Sequence, residues 1–335
     1  MASIEYSSTD VGAPQMGGKA AGSLVNVIKA VLVDGYGDKQ PLNWELMFAD
    51  AATYTYVFRP RSGSRMFLKF NDDGSHTYST NTYFFMQAQA YENMFSASNG
   101  VHPCPTMYNI LNNQAGYVWK TTLNNDVVQK WKIIGDDRGF YLLTYPSSSM
   151  AGYENNACVY YFGDYVSVGH NSVQNQYNWV MWTIGRVSSS EGCSQANGNL
   201  SIMRNPYTQI KGAQYAEMSA GFGQLDRYYG YGSNSAFPSG AGLRSANEAN
   251  VNGLPMYSQV WLKATGYGTF YLGVMPGLFD VSTNPTYRNR QIYYEELDEK
   301  NKIMAHPTTL VNLTSRNENP GRMAFLIGEK FRHVF

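Results

Sequence analysis

Between Gly17 and Gly37 (GGKAAGSLVNVIKAVLVDGYG) apolar residues recur at helical spacing. Ala21, Leu24, Val25, Ile28, Val31 and Leu32 form one stripe, with Ser23, Asn26 and Lys29 off it. Asp34 and Gly35 close the pattern. Gly35 suits the left-handed position beyond a helix end, and Pro41 bars continuation. Nearly all the rest of the chain reads as strands and turns. The pattern predicts one amphipathic helix laid across antiparallel sheets, an α+β fold that is predominantly β and sandwich- or barrel-like.

Thr53–Phe58 and Arg65–Phe70 have strong β propensity, and Arg61–Ser64 between them predicts a hairpin turn. Asn71–Gly74 reads as a turn, and Tyr83–Tyr91 fits a strand or a short helix. Asn99-Gly100 and the Pro103, Pro105 pair mark a loop. Further strands are expected at Val127–Ile134, Phe140–Tyr145, Cys158–Phe162, Tyr165–Val168 and Trp179–Ile184, the last apolar enough to be buried on both faces. Residues 187–255 are rich in Ser, Asn, Gly and Tyr without periodicity, which predicts an exposed excursion. Strands return at Tyr257–Ala264, Thr269–Val274 and Met323–Ile327. Arg290–Lys302 reads as a short solvated helix or a charged strand edge. The resulting organisation is an arm (1–16), a helix plus first β block (17–105), a second β block (106–186), the excursion (187–255), and C-terminal strands that complete the β core (256–335). The arm is read as free, or as docked on a neighbouring subunit.

Composition narrows the function. The 335 residues have zero formal net charge and only 15% charged side chains, which argues against a general nucleic-acid binder needing a basic surplus. A local basic patch stays compatible with this. Three cysteines, Cys104, Cys158 and Cys193, give no regular disulfide framework and read as free thiols. MASIEYSSTD has neither the basic nor the apolar region of a signal peptide, and no run approaches the about 20 apolar residues of a membrane span. A soluble protein made in a cytosol is expected.

Candidate chemistry is sparse. The five histidines are scattered without a metal-ligand spacing, and His102-Pro-Cys104 sits in a loop context. Asp72-Asp73 and Asp136-Asp137 lie beside glycines in turns, where Asp bonds nearby backbone. Neither a Gly-x-Ser-x-Gly elbow nor a phosphate-binding Gly-Lys loop occurs. No catalytic, cofactor-binding or metal residue is assigned, and no cofactor is expected. Aromatic residues in stretches without periodicity are the better candidates, because Tyr is enriched at interfaces. The expected contact residues are Tyr6 in the arm, Phe222, Tyr228, Tyr229 and Tyr231 in the excursion, and Phe331, Arg332 and Phe335 in the tail.

A series of phrases resembles one family in order along the chain. Ala13-Pro through Gly22-Ser-Leu, then Val33-Asp-Gly-Tyr-Gly37 and Asn43-Trp44, resembles the opening of a family of tailed-bacteriophage virion structural proteins. Val57-Phe-Arg59, Phe67-Leu-Lys-Phe-Asn-Asp72, Ala90-Tyr-Glu92, Gly135-Asp-Asp-Arg-Gly-Phe-Tyr-Leu142, Phe162-Gly-Asp-Tyr-Val-Ser167 and Met275-Pro-Gly-Leu278 resemble its later phrases. The chain departs from the family in its Tyr- and Asn-rich excursion and in its ending, Phe331-Arg-His-Val-Phe335. The resemblance implies a non-enzymatic structural component of the tail, neck or baseplate. It would be synthesised in the bacterial cytoplasm and built into the virion as a homo-oligomer beside other virion proteins. A capsid decoration protein, an adhesin for host-surface glycan, and a cell-wall or capsule hydrolase are the alternatives.

Overall fold

The computed structural model describes residues 1–78, 83–112, 115–121, 125–145, 157–168, 176–184, 198–204, 216–219, 256–264, 270–282, 292–307 and 322–335. In chain order the strands are β1 (Ile4–Ser7), β2 (Met16–Gly17), β3 (Glu45–Asp50), β4 (Thr55–Arg59), β5 (Phe67–Asn71), β6 (Thr77–Tyr78), β7 (Tyr83–Met94), β8 (Gly100–Cys104), β9 (Tyr117–Thr121), β10 (Val128–Asp136), β11 (Gly139–Tyr145), β12 (Cys158–Asp164), β13 (Val166–Ser167), β14 (Trp179–Ile184), β15 (Gly198–Ile202), β16 (Ala216–Ser219), β17 (Met256–Ala264), β18 (Phe270–Ser282), β19 (Tyr293–Asp298), β20 (Asn301–Pro307) and β21 (Arg322–Gly328). Helix α1 (Ser23–Lys29) runs into a π turn at Ala30–Asp34, and α2 is Met107–Leu111.

Two antiparallel sheets result, and the fold is predominantly β. The first follows the order β1-β10-β11-β12-β14-β9-β7-β5-β4-β3 and curls into a half-barrel. The second follows β16-β17-β18-β21-β20-β19. Strands from both expected β blocks share the first sheet.

The curl explains how α1 is packed. Phe70 on β5 meets Phe162 on β12 at 5.2 Å between ring centroids, although three strands separate them in the sheet. The helix lies in the hollow between these walls. Leu24, Val25, Ile28, Val31 and Leu32 of the expected stripe are fully buried, and so is Val27, which lies off it. Ala21 precedes the helix and is exposed. The helix is thus wrapped on more than one side, where a single apolar stripe predicts packing on a flat sheet. Its ends are set by glycines: Gly22 (φ 75°), where a Cβ would stand 2.3 Å from the Tyr54 ring, and Gly35 (φ 77°), which bonds back to Ala30. The Asp72 carboxylate accepts hydrogen bonds from the Leu24 and Val25 N–H groups at the helix start and binds Lys120 Nζ at 2.5 Å. Asp72 therefore caps a distant helix, where the sequence predicts a bond within its own turn.

The central strands are buried on both faces. Phe140, Leu142, Tyr160, Phe162, Trp179 and Met181 face α1, while Tyr141, Leu143, Val159, Tyr161, Val180 and Trp182 face the second sheet. This alternation is the period-two signature of a strand with two apolar neighbours.

Several expectations need correction. The arm is not free: β1 pairs with β10 and β2 with the start of β10, so residues 4–7 complete the first sheet. The expected loop near Pro103 contains β8, hairpinned on β7, and Cys104-Pro105 is a cis peptide bond. The excursion contains β15, which adds to the first sheet, and β16, which adds to the second; residues 187–197, 205–215 and 220–255 lie outside the described residues. Cys158 is disulfide-bonded, whereas Cys104 is a free, buried thiol whose burial pushes its pKa upward; Cys193 lies outside the described residues. The hairpin at β4–β5 forms as the sequence predicts, and of the two readings of Arg290–Lys302, solvated helix or charged strand edge, the structure has the strand, at 293–298. Among the described residues no helix is long and apolar enough to cross a membrane.

Candidate functional site

Three turns and both termini of the chain meet at one end of the half-barrel. Asp136 ends β10, and its Oδ1 accepts the Arg138 and Gly139 N–H groups, the turn bonding expected of Asp before Gly. Arg332 reaches the same carboxylate with two donors, Nε to Oδ2 at 2.5 Å and Nη2 to Oδ1 at 2.7 Å. Its Nη1 donates to the Asp164 carbonyl at 2.8 Å, which also accepts the Tyr161 hydroxyl at 2.6 Å. The Asp164 carboxylate takes the backbone N–H of Ser64 at 2.8 Å and the Ser64 hydroxyl. Asp137 accepts the Ser62 hydroxyl at 2.6 Å and faces the terminal amine of Met1 at 3.7 Å.

Burial governs the charges here. It pushes the Asp164 carboxyl up to about 6, against the opposing pull of Arg332 and the Ser64 donors. Asp136 and Asp164 are each 1% exposed, and their oxygens are taken by Arg332, Ser64 and turn backbone. Chemically this is a clamp: it holds the tail, the β10–β11 turn, the end of β12 and the β4–β5 turn in one geometry.

A groove of about 240 Å³ lies at the seam between the two sheets, lined by Ser7–Thr9, Lys130–Lys132, Tyr145, Ile292 and Tyr294. Glu5 sits beside it, bound to Lys132 Nζ at 2.8 Å and to the Tyr294 hydroxyl at 2.5 Å, with Lys302 Nζ at 3.5 Å. Burial opposes ionisation of Glu5, but these three partners outweigh it and hold its carboxyl below the usual range. Lys132 is thereby committed to joining the sheets.

The expected contact residues separate into three groups. Tyr6 is fully buried, with its hydroxyl 2.5 Å from the Gln40 carbonyl, and Phe331 is 1% exposed beside Tyr141. Arg332 belongs to the clamp. These three serve the chain's own core, which leaves Tyr6 and Phe331 almost no surface to offer a neighbour. Phe335 is 65% exposed, with its ring centroid 5.9 Å from that of Phe279. Phe222, Tyr228, Tyr229 and Tyr231 lie outside the described residues. Among the described residues, no group of three or more His, Cys, Asp or Glu is placed to hold a metal ion.

Two surfaces escape sequence reasoning. Phe95 and Val101 near the β7–β8 hairpin end, and Met107, Tyr108 and Leu111 on α2, are all exposed. Arg59, Arg61 and Arg65 gather around the single carboxylate of Glu45, with Arg138 alongside through Ser62. The sequence signal for the second was present in the Arg-Ser-Gly-Ser-Arg turn at 61–65, but Arg138 joins it only through the fold. No protein-family model matches the chain, and no curated protein is similar to it.

Proposed function

We propose that this chain is a structural subunit of a tailed-phage virion, placed in the tail, neck or baseplate and acting through contacts between subunits. The supporting observation is where the resembling phrases fall. Phe67–Asp72 supplies the carboxylate that starts α1. Gly135–Leu142 supplies Asp136 and Phe162–Ser167 supplies Asp164, the two acidic anchors at the clamp. Charged residues in these phrases are therefore used to fix loops and chain ends, which is the requirement of a rigid building block. Exposed Phe95, Val101, Met107, Tyr108 and Leu111 supply apolar area that association can remove from water. The protein reaches the particle from the host cytoplasm and performs no reaction there.

Mass spectrometry of particles washed in high salt, together with immunogold labelling, tests this reading. The chain should be retained at a fixed ratio to the other structural proteins, with label at one position on the particle. Its recovery only in the lysate fraction would overturn the proposal.

A further inference from the structure

The arginine-bearing turn between β4 and β5 is fixed more firmly than an exposed hairpin requires. The Ser64 N–H and hydroxyl bind Asp164, and the Ser62 hydroxyl binds Asp137. Arg138 Nε donates to Ser62 at 3.3 Å, and Arg59 Nε donates to the Arg65 carbonyl at 3.0 Å. Gly63 (φ 74°) packs so closely on Asp164 that a Cβ there would lie 2.0 Å from Oδ2. Arg65 itself has φ 59°, a left-handed conformation that is unfavourable for a non-glycine residue and concentrates at binding sites. The backbone that carries these arginines is thus held in one geometry.

The charge on that surface is unbalanced. Arg61 and Arg65 share Glu45 at 3.9 and 3.8 Å, and their side chains are 56% and 46% exposed. Arg59 lies over the Phe67 ring at 4.8 Å, and burial together with the neighbouring Arg65 charge lowers its pKa. Arg138 is exposed beside them. Four guanidinium groups thus lie near two partly buried carboxylates, Glu45 and Asp137, which leaves this surface basic.

An acidic patch lies along β19, one of the two edge strands of the second sheet, and in the turn that follows it. Glu295, Glu296, Asp298 and Glu299 are all exposed there. The nearby lysines are engaged: Lys302 with Glu5, Lys330 with Asp298, and Lys300 with Glu329. Among the described residues, Glu296 and Glu299 make no ion pair. Both patches flank the tail, since Lys330 holds Asp298 and, two residues on, Arg332 holds Asp136 next to Arg138. A basic and an acidic patch on the same end form a self-complementary surface. A two-fold axis lays each against the other in a partner copy.

We propose that two copies of this chain pair end to end about a two-fold axis, with Arg59, Arg61, Arg65 and Arg138 of each receiving the Glu295–Glu299 edge of the other. The pairing rests on the reading of the chain as a multi-copy structural subunit and names the contact by which copies meet. It also covers part of an exposed sheet edge.

Sedimentation velocity of the full-length protein at low and high salt tests the proposal. The wild type should be a dimer at low salt and dissociate at high salt. R61E/R65E and E296K/E299K should each weaken dimerisation by at least about tenfold, because like charges are then opposed. Mixing the two variants should restore a dimer, since each supplies the charge the other has gained a need for. Recovery on mixing also shows that both variants are folded. R61K/R65K, which keeps the charge, should dimerise. A wild type that stays monomeric at low salt, or a mixture that fails to recover, overturns the proposal. Particle labelling reads the virion assignment separately, so a chain found in particles but monomeric in solution removes only the pairing.

Discussion

Asp164 shows how one side chain's surroundings set a property of the fold. It is buried beside Arg332, yet its carboxyl is raised from an ordinary 3.8 to about 6, because loss of hydration outweighs the nearby positive charge. A carboxyl that holds its proton more tightly when folded favours the folded state in acid. Its contribution is fully present below the unfolded value near 3.8 and is lost as pH rises through about 6. D164N removes the titration while an amide still bonds Ser64. The stability margin of the wild type over D164N should shrink by up to about 3 kcal/mol between about pH 4 and about pH 7. Urea denaturation of both proteins across that range measures it; a margin independent of pH would show that Asp164 is not proton-linked to folding. Among the described residues the neighbouring Tyr141 hydroxyl is buried without a hydrogen-bond partner, another polar group held where the surrounding rings require its shape.

At the scale of elements, α1 depends on a pair that no local pattern announces. Lys120 on β9 is 1% exposed and binds Asp72 at 2.5 Å and the Ala20 carbonyl at 2.8 Å, while Asp72 holds the first N–H groups of the helix. K120M removes the one cation that, among the described residues, is bonded to the fully buried Asp72 carboxylate. It should cost about 3–5 kcal/mol, visible as a fall in the thermal midpoint, and D72N/K120M should recover part of the loss. A K120M protein as stable as the wild type would show that the helix is held by its apolar contacts alone. The helix itself was legible: Leu24, Val25, Ile28, Val31 and Leu32 repeat at its period, and Gly35 marks its end. The β4–β5 and β10–β11 hairpins were legible too, because their turn residues sit between runs of β-branched and aromatic side chains. β1 was not. Four residues in a polar segment carry too little alternation to register, and what commits them is Tyr6, whose burial depends on a strand more than 120 residues later. Lys120 and Asp72 were illegible for the same reason, since a buried ion pair between distant strands leaves no period in the sequence. The candidate contact surface was half legible. Arg61 and Arg65 stand in an evident turn, but their companion Arg138 and their complement on β19 are brought near only by the tail.

The tail ties these levels into one molecule. Phe331 fills the core between the sheets, Arg332 bridges Asp136 and the Asp164 carbonyl, and the Gln259 side chain holds the His333 carbonyl and the Phe335 N–H. At the other terminus, Ser3 donates its N–H to the Gly328 carbonyl while β1 pairs with β10, so both ends of the chain staple the half-barrel to the second sheet. If the staple acts as a unit, its loss lowers the stability of the whole chain rather than freeing the tail alone. R332M keeps a long side chain but leaves the Asp136 charge buried without its partner, and should cost about 3–5 kcal/mol. D136N/R332M removes that stranded charge and keeps an acceptor for the Arg138 and Gly139 N–H groups, so it should be more stable than R332M. The coupling energy is expected to fall in the range of about 0.5–3 kcal/mol. In guanidinium titrations the midpoint of R332M should fall while the slope stays that of the wild type, because the same surface is exposed in one transition. A reduced slope, or a second transition assignable to the second sheet, would show that the sheets unfold separately and that Arg332 secures only its own six-residue end.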